Sequence, residues 1–183
     1  MASIITATTT SGLTQSADNS GVLQLASGTG NLVTIPSVTG TAMVSGNMPA
    51  FSAYASSNQT VSDATITKVT FDTEEFDTNN NFASSRFTPT VAGYYQLNAT
   101  VNCSQTTLID YTIWFYKNGN QYKRGLGLGG TFSKIQSPIS SLIYLNGSTD
   151  YVEVYIYSDG TGNATVNGSG QDTWFNGSLV RAA

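Results

Sequence analysis

The sequence predicts an all-β fold of antiparallel strands, and the clearest sign of it is the alternation of side chains in residues 93–103. Successive side chains of a strand point to opposite faces, so a period of two predicts a strand with one buried face. Pro89 and Gly93 mark a turn before it. The apolar face comprises Tyr95, Leu97, Ala99, Val101 and Cys103, and the polar face comprises Tyr94, Gln96, Asn98, Thr100 and Asn102. The first face is expected on a core and the second in water, as in an antiparallel sheet.

Composition supports the same fold class. Charged residues are only 10% of the chain, against roughly 25% in an average soluble domain. Ser, Thr, Asn and Gly fill the polar positions instead. A chain of 183 residues is long enough for one β-sandwich with a substantial core and an additional segment.

The residue types that are missing argue against an enzyme. The chain contains no His, which removes the commonest general base and the commonest metal ligand. It has one Cys, so neither an intrachain disulfide nor a zinc site with several Cys ligands can form. Cys103 shares the face of Leu97 and Val101 and is predicted to be a buried core residue. We therefore predict no catalytic site.

Charge and hydropathy restrict the partners. The net charge is −4, and the seven Lys and Arg residues are scattered, which argues against binding to nucleic acid or to an anionic membrane. No apolar run is long enough to span a bilayer, so membrane insertion is not expected. The N-terminus has neither a positive region nor an apolar core of the secretory type, so no secretory signal is expected.

Residues 1–48 differ in character from residues 49–183. Short apolar runs at residues 22–25 and 32–35 are separated by Gly and predict short strand-like pieces. Such pieces bury too little surface to offset chain ordering, so this segment gains order only against sister subunits or a larger assembly. The change at residues 46–49 predicts the boundary between an extended, β-rich N-terminal anchor or stalk and a folded head.

The head resembles a known family. Phe87, Pro89 and the Gly93-Tyr94-Tyr95 entry into a strand resemble the globular head of the first complement component, a member of the tumour-necrosis-factor jelly-roll superfamily. The resemblance continues in order through residues 49–53, 69–72, 113–119, 142–157 and 174–180. It implies a ten-strand jelly-roll β-sandwich that forms a homotrimer. The collagen-like stalk of complement is missing, so the complement role itself is not implied.

Two strands indicate where subunits meet. Residues 111–116 and 151–157 are apolar or aromatic on nearly both faces, so both faces must be covered. The resembled superfamily places an inner sheet on its threefold axis. We therefore assign Ile113, Phe115, Val152, Val154 and Ile156 to the core, and Trp114, Tyr116, Tyr151, Tyr155 and Tyr157 to the trimer contact. The alternative is that these rings cover a loop of their own subunit.

Two further motifs have candidate ligand chemistry. Asp72, Glu74, Glu75 and Asp77 bring four carboxylates onto an expected loop, enough oxygen for a weak calcium site. The alternative is a solvated acidic loop, which the missing EF-hand spacing favours. Residues 125–130 are rich in Gly but lack the Lys and the helix of a phosphate loop, so they predict a bend or a close backbone approach. Lys123 and Arg124 form a small positive patch beside them. No other cofactor is predicted.

Two classes of function fit these observations. The first is a bacteriophage virion structural protein: a homotrimeric tail-fibre tip, knob or capsid decoration that binds other virion proteins through residues 1–48. Its head could contact a receptor or glycan on the host surface. Residues 1–48 resemble the anchor and stalk segments of bacteriophage fibres in composition. The second class is a soluble lectin-like or pattern-recognition module. The missing collagen stalk and the expected lack of a secretory signal favour the virion.

Overall fold

A computed structural model describes residues 23–26, 32–35 and 48–183. Residues 48–183 form eleven strands and contain no helix, which confirms the all-β prediction. Accordingly, no helix in the described ranges could cross a membrane. The strands are β3 (Ala50–Tyr54), β4 (Gln59–Val61), β5 (Thr67–Lys68), β6 (Thr73–Asp77), β7 (Phe82–Ala83), β8 (Arg86–Phe87), β9 (Gly93–Lys117), β10 (Asn120–Leu145), β11 (Val152–Gly160), β12 (Ala164–Val166) and β13 (Trp174–Ala182).

The chain divides into two units, Met1–Ala42 and Met43–Ala183. In the first unit, β1 (Leu23–Ala26) pairs antiparallel with β2 (Leu32–Ile35). These are the two places where the sequence predicts short strand-like pieces, and both strands are confirmed. The other residues of the predicted anchor lie outside the described ranges, and the boundary at residue 48 stays a prediction.

The long hairpin of β9 and β10 organises the second unit. Its turn is Asn118-Gly119, with φ angles of 53° and 78°. Asn-Gly is the sequence that favours a tight hairpin turn with both central residues in the left-handed region, so this hairpin was predictable. From there the antiparallel ladder runs from Lys117 opposite Asn120 to Gly93 opposite Leu145.

The hairpin contributes to both layers of a sandwich. On the edge of β9 away from β10, residues 93–100 pair with β13 and residues 108–117 pair with β11. We call the layer of β6, β3, β13, the start of β9 and the end of β10 sheet I. The layer of the start of β10, the end of β9, β11, β8, β7 and β5 is sheet II. β4 and β12 pair beside the region of β9 where it passes between the layers.

The glycine-rich segment lies where β10 changes layers. The β9–β10 register shifts four times between residues 121 and 134. A Cβ atom on Gly125 would lie 2.6 Å from Cγ2 of Ile113 and 2.9 Å from Cβ of Ile139, so only Gly fits here. The predicted bend and close backbone approach are confirmed.

The core lies between the two sheets. All five residues of the predicted apolar face of residues 93–103 are buried, as are the five core residues predicted on β9 and β11. At one end Phe51 stacks on Phe87, with ring centroids 4.3 Å apart, and meets Phe175 edge-on at 4.9 Å. Such aromatic pairs add to the stabilisation from burial.

The polar face of the same strand is only partly in water. Thr100 and Asn102 are buried, so the expectation of a solvated face was wrong for them. Residues 167–173 cover this end of the strand: the Asn102 N–H donates to Oγ1 of Thr173 (3.2 Å), and Nδ2 of Asn167 donates to Oδ1 of Asn102 (3.0 Å). Side chains from a distant segment therefore replace water here.

Candidate binding surfaces

The five aromatic residues predicted at a trimer contact lie on or next to β9 and β11 of sheet II. All five are half-buried, while their chain neighbours Ile113, Phe115, Val152, Val154 and Ile156 fill the core. Tyr116 stacks on Tyr155, with ring centroids 4.0 Å apart and planes 27° apart. Tyr116 and Tyr155 thus contact each other within one subunit. Their role between subunits stays a prediction.

An ion cluster lies among these rings. Glu153 is only 2% exposed, and its carboxylate accepts from Nζ of Lys68 (2.7 Å) and from Nε of Arg86 (2.8 Å). The guanidinium carbon of Arg86 lies 3.8 Å from the centre of the Tyr151 ring. Burial alone would raise the pKa of Glu153, but the hydrogen bonds and charges of Lys68 and Arg86 outweigh it and hold this pKa below its ordinary value.

Sheet I exposes apolar side chains on its outer face. Tyr94 is 42% exposed, Leu142 52%, Tyr144 41% and Val180 60%. Tyr94 and Tyr144 are cross-strand partners with ring centroids 5.4 Å apart. Sequence reasoning missed this surface, which we call the sheet I patch. The signal was present, because Leu142 and Tyr144 alternate with the buried Ile143 and Leu145.

A row of amide and hydroxyl groups crosses the same face next to the patch. Nε2 of Gln96 donates to Oγ of Ser140 (2.8 Å), and that hydroxyl donates to Oδ1 of Asn98 (2.8 Å). Nδ2 of Asn98 then donates to Oδ1 of Asn176 (3.2 Å). These hydrogen bonds satisfy only part of the row, because Oε1 of Gln96 and Nδ2 of Asn176 have no hydrogen-bond partner within residues 48–183.

The outer edge of β10 is open. Within the described residues β10 pairs only with β9, so one edge of this 26-residue strand has no strand partner. An open edge can pair with another chain, and proteins protect such edges with charges and Pro. Lys123, Arg124, Lys134 and Pro138 provide that protection along β10. The exposed Leu126 and Phe132 leave part of the edge apolar.

The acidic segment does not gather its carboxylates. Most of it forms β6, paired with β3, so the expected loop was wrong. Asp72 accepts from the N–H (2.7 Å) and hydroxyl of Ser56, and the backbone bond is the main cause that lowers the pKa of Asp72. The other three carboxylates do not share partners with it. Glu75 accepts from the hydroxyl of Ser52, and Asp77 accepts from the N–H groups of Asn79 and Phe82. Glu74 is exposed. Within residues 48–183 no three His, Cys, Asp or Glu side chains converge as metal ligands.

A cavity of about 380 Å³ opens beside the ion cluster. This volume falls within the range of small-ligand pockets. Six of its seven lining residues have polar side chains, and they come from β5, the loop before β7, the β7–β8 turn, β8 and the residue just after β8. The lining residues are Lys68, Asn80, Asn81, Ala83, Ser84, Arg86 and Thr88.

Cys103 has the position that the alternation predicts. It is fully buried between the sheets, and burial raises the pKa of its thiol to about 11. A thiol with so high a pKa carries almost no thiolate at neutral pH, so Cys103 is not a nucleophile in the folded protein.

Solved structures share this fold. The globular domain of zebrafish complement 1qA protein is 18% identical with a TM-score of 0.53, and the match covers 74% of this chain and 99% of that domain. The crystal structure of murine APRIL at pH 8.5 is 14% identical with a TM-score of 0.54, covering 73% of this chain and 99% of the other. Searches against models of protein families and against curated proteins found no match. Residues 48–183 thus have the jelly-roll fold of the complement head and the tumour-necrosis-factor-like domains, as the sequence resemblance implied.

Proposed function

We propose that this chain is a virion structural protein of a bacteriophage: a homotrimeric appendage whose N-terminal segment attaches to the particle and whose jelly-roll head projects from it. The head is then a fibre tip, a knob or a capsid decoration. The protein works by binding and not by catalysis. The main support for the proposal is that the chain contains both a folded jelly-roll head and a separate N-terminal unit with two short strands.

The surfaces of the head support a homotrimer. The sheet I patch places four exposed apolar side chains beside the open edge of β10, and Leu142 and Tyr144 belong to both features. A contact between an edge and a different face is heterologous, and such contacts form a closed ring when the rotation between subunits closes, as a trimer requires. We assign the subunit contact to this region. The rings of sheet II are less suitable, because covering them would further desolvate the charged cluster of Glu153, Lys68 and Arg86.

The N-terminal segment supports attachment. Residues 1–48 have the Ser-, Thr-, Gly- and Asn-rich composition of a chain that cannot build a core by itself. Ordering such a segment requires a partner surface, and a virion offers one in many copies. The avidity of three linked anchors makes weak individual contacts sufficient.

A soluble lectin-like binding module is the second candidate. The polar cavity beside Lys68 and Arg86 favours it, since a pocket with hydrogen-bonding side chains is suited to a small polar ligand. The two candidates differ in what residues 1–48 do. A soluble module needs no particle, whereas the virion protein loses its location without its anchor.

Removal of residues 1–46 tests the virion assignment. The truncated chain, residues 47–183, should keep its thermal midpoint within a few degrees, because the core lies in the retained residues. It should stay trimeric but no longer bind purified particles, whereas the full chain should bind to particles that lack it. If the truncated head still binds, the anchor assignment fails. If the truncated head unfolds, the N-terminal strands belong to the sandwich.

A further inference from the structure

The cavity beside the ion cluster has the features of a built site. Its wall contains two residues in the left-handed backbone region, Asn80 (φ 52°) and Ser84 (φ 51°). Non-glycine residues in this region cost about 1–2 kcal/mol each and persist only where the surroundings hold them. Here Nζ of Lys68 donates to the carbonyl oxygen of Ser84 (2.8 Å), and Asn81 Nδ2 donates to the carbonyl oxygen of Asn79 (3.0 Å). The wall is therefore shaped before any ligand arrives.

Arg86 presents unused donors to this cavity. Its Nε is bound to Glu153, and the Tyr151 ring lies against the guanidinium plane. These two contacts fix the orientation of the side chain. Neither terminal nitrogen has a hydrogen-bond partner among the described residues. A fixed guanidinium with free terminal N–H groups is the geometry that binds a carboxylate through two parallel hydrogen bonds.

The remaining lining supplies neutral donors and acceptors. The side-chain amide of Asn80 and the hydroxyls of Ser84 and Thr88 line the cavity and have no side-chain partner within residues 48–183. Lys68 and Arg86 carry two positive charges against the single negative charge of Glu153, so the site has a local excess of one. This local positive charge is opposite in sign to the net charge of the chain, which is −4.

We propose that this cavity binds a sugar that bears a carboxylate. The Arg86 fork pairs with the carboxylate, Lys68 adds a second positive charge, and Asn80, Ser84 and Thr88 bind the sugar hydroxyls. A site whose polar groups hydrogen-bond a ligand's hydroxyls discriminates against analogues that lack them. The cavity volume suits one or two sugar units. The inference concerns the head alone and holds whether the protein acts on a particle or free in solution.

Ligand-observed NMR on the full chain tests this inference. The probe is methyl α-D-galacturonoside, measured by saturation transfer and titrated for affinity. Methyl α-D-galactoside tests the need for the carboxylate, acetate tests the need for the sugar, and galactose 6-sulfate tests an alternative anion. The uronide should bind at least tenfold more tightly than each of these. Equal binding of acetate or of the neutral sugar, or preferred binding of the sulfate, would overturn the proposal.

Variants locate the site. Arg86→Lys keeps the charge but removes the fork, and should weaken uronide binding by about tenfold, the equivalent of one good hydrogen bond to a charged group. Ser84→Ala and Thr88→Val should each weaken it severalfold. Arg124→Lys is the matched control, since Arg124 is an exposed arginine outside the cavity, and it should change nothing. Thermal midpoints identify any variant that is misfolded. Uronide binding that survives all three cavity variants, each correctly folded, places the ligand elsewhere and contradicts the proposal.

Discussion

At the scale of single residues, Glu153 shows how this chain tolerates a buried charge. It lies on the outer face of sheet II, yet it is 2% exposed, because Lys68, Arg86 and the neighbouring rings cover it. A buried carboxylate is stable only when it is paired and hydrogen-bonded. Two cations and the hydroxyl of Tyr155, 3.4 Å from Oε2, meet that requirement.

The lowered pKa of Glu153 predicts a pH dependence of stability. The pKa of Glu153 is lower in the folded protein than in the unfolded chain, where a Glu titrates at about 4.3. Ionised Glu153 therefore stabilises the fold fully above the unfolded pKa. This contribution is lost as the pH falls through the lower folded pKa. Glu153→Gln should therefore cost about 1–3 kcal/mol at pH 7 and much less at pH 3. Urea unfolding of both proteins at the two pH values measures the difference. Glu74→Gln, an exposed carboxylate on β6, is the control. A cost that is equal at both pH values would show that the charge of Glu153 is not what stabilises the fold.

Cys103 and Thr100 show what local sequence can and cannot reveal. The period of two assigns Cys103 to the core because strand geometry alone decides which face it occupies. Thr100 also follows the period, yet it is buried. Its hydroxyl donates to the carbonyl oxygen of Ser137 on β10 (3.4 Å), and no local pattern at Thr100 indicates that contact.

At the scale of elements, the strand-turn-strand units were predictable and the lengths of the strands were not. The Asn118-Gly119 turn and the alternation after Gly93 are encoded locally. The sequence did not reveal that β9 continues unbroken for 25 residues, because its central residues lack regular alternation where the strand passes between sheets. It is pairing with β10, β12 and β11 in succession that keeps this segment extended.

The candidate sites were less predictable than the strands, because their residues come from distant parts of the sequence. The cavity combines Lys68, Arg86 and residues 80–88 from separate strands and loops, so only the fold brings them together. The acidic residues 72–77 look like a cluster in the sequence. In β6, however, successive side chains point to opposite faces, which separates them.

The bend in β10 predicts that alanine substitutions at two of its glycines differ in their effect on stability. Gly125→Ala would place a methyl group within 3 Å of Ile113 and Ile139, so it should destabilise the head by about 1–3 kcal/mol. Gly129→Ala is the matched change in the same strand, with no atom within 4 Å of the added Cβ, and should be nearly neutral. Denaturant midpoints of the two variants measure the contrast. If both variants are neutral, or both are destabilised alike, the close approach at Gly125 is not what shapes the bend.

At the scale of the whole molecule, two surfaces are candidates for the proposed subunit contact. The sequence points to Trp114 and Tyr155 on sheet II, whereas the exposures favour the sheet I patch. Leu142→Ser with Val180→Ser should dissociate the trimer without unfolding the subunit, because both side chains are more than half exposed in the single chain. Trp114→Ser with Tyr155→Ser is the matched pair on the other sheet and should leave the trimer intact.

Sedimentation equilibrium of both double variants and of the unchanged chain distinguishes these surfaces. The unchanged chain should sediment at three times 19.3 kDa. If the Trp114 and Tyr155 pair alone dissociates the assembly, the contact lies on sheet II. A monomeric unchanged chain at micromolar concentration would show that the protein is not a homotrimer.

The most direct test of the central claim is an electron cryomicroscopy reconstruction of the bacteriophage particle whose genome encodes this chain. We expect threefold density on the particle surface that fits three copies of residues 48–183, with residues 1–48 directed into the particle. Particles without such density, confirmed by mass spectrometry to lack the protein, would contradict the claim that it is a structural component of the virion.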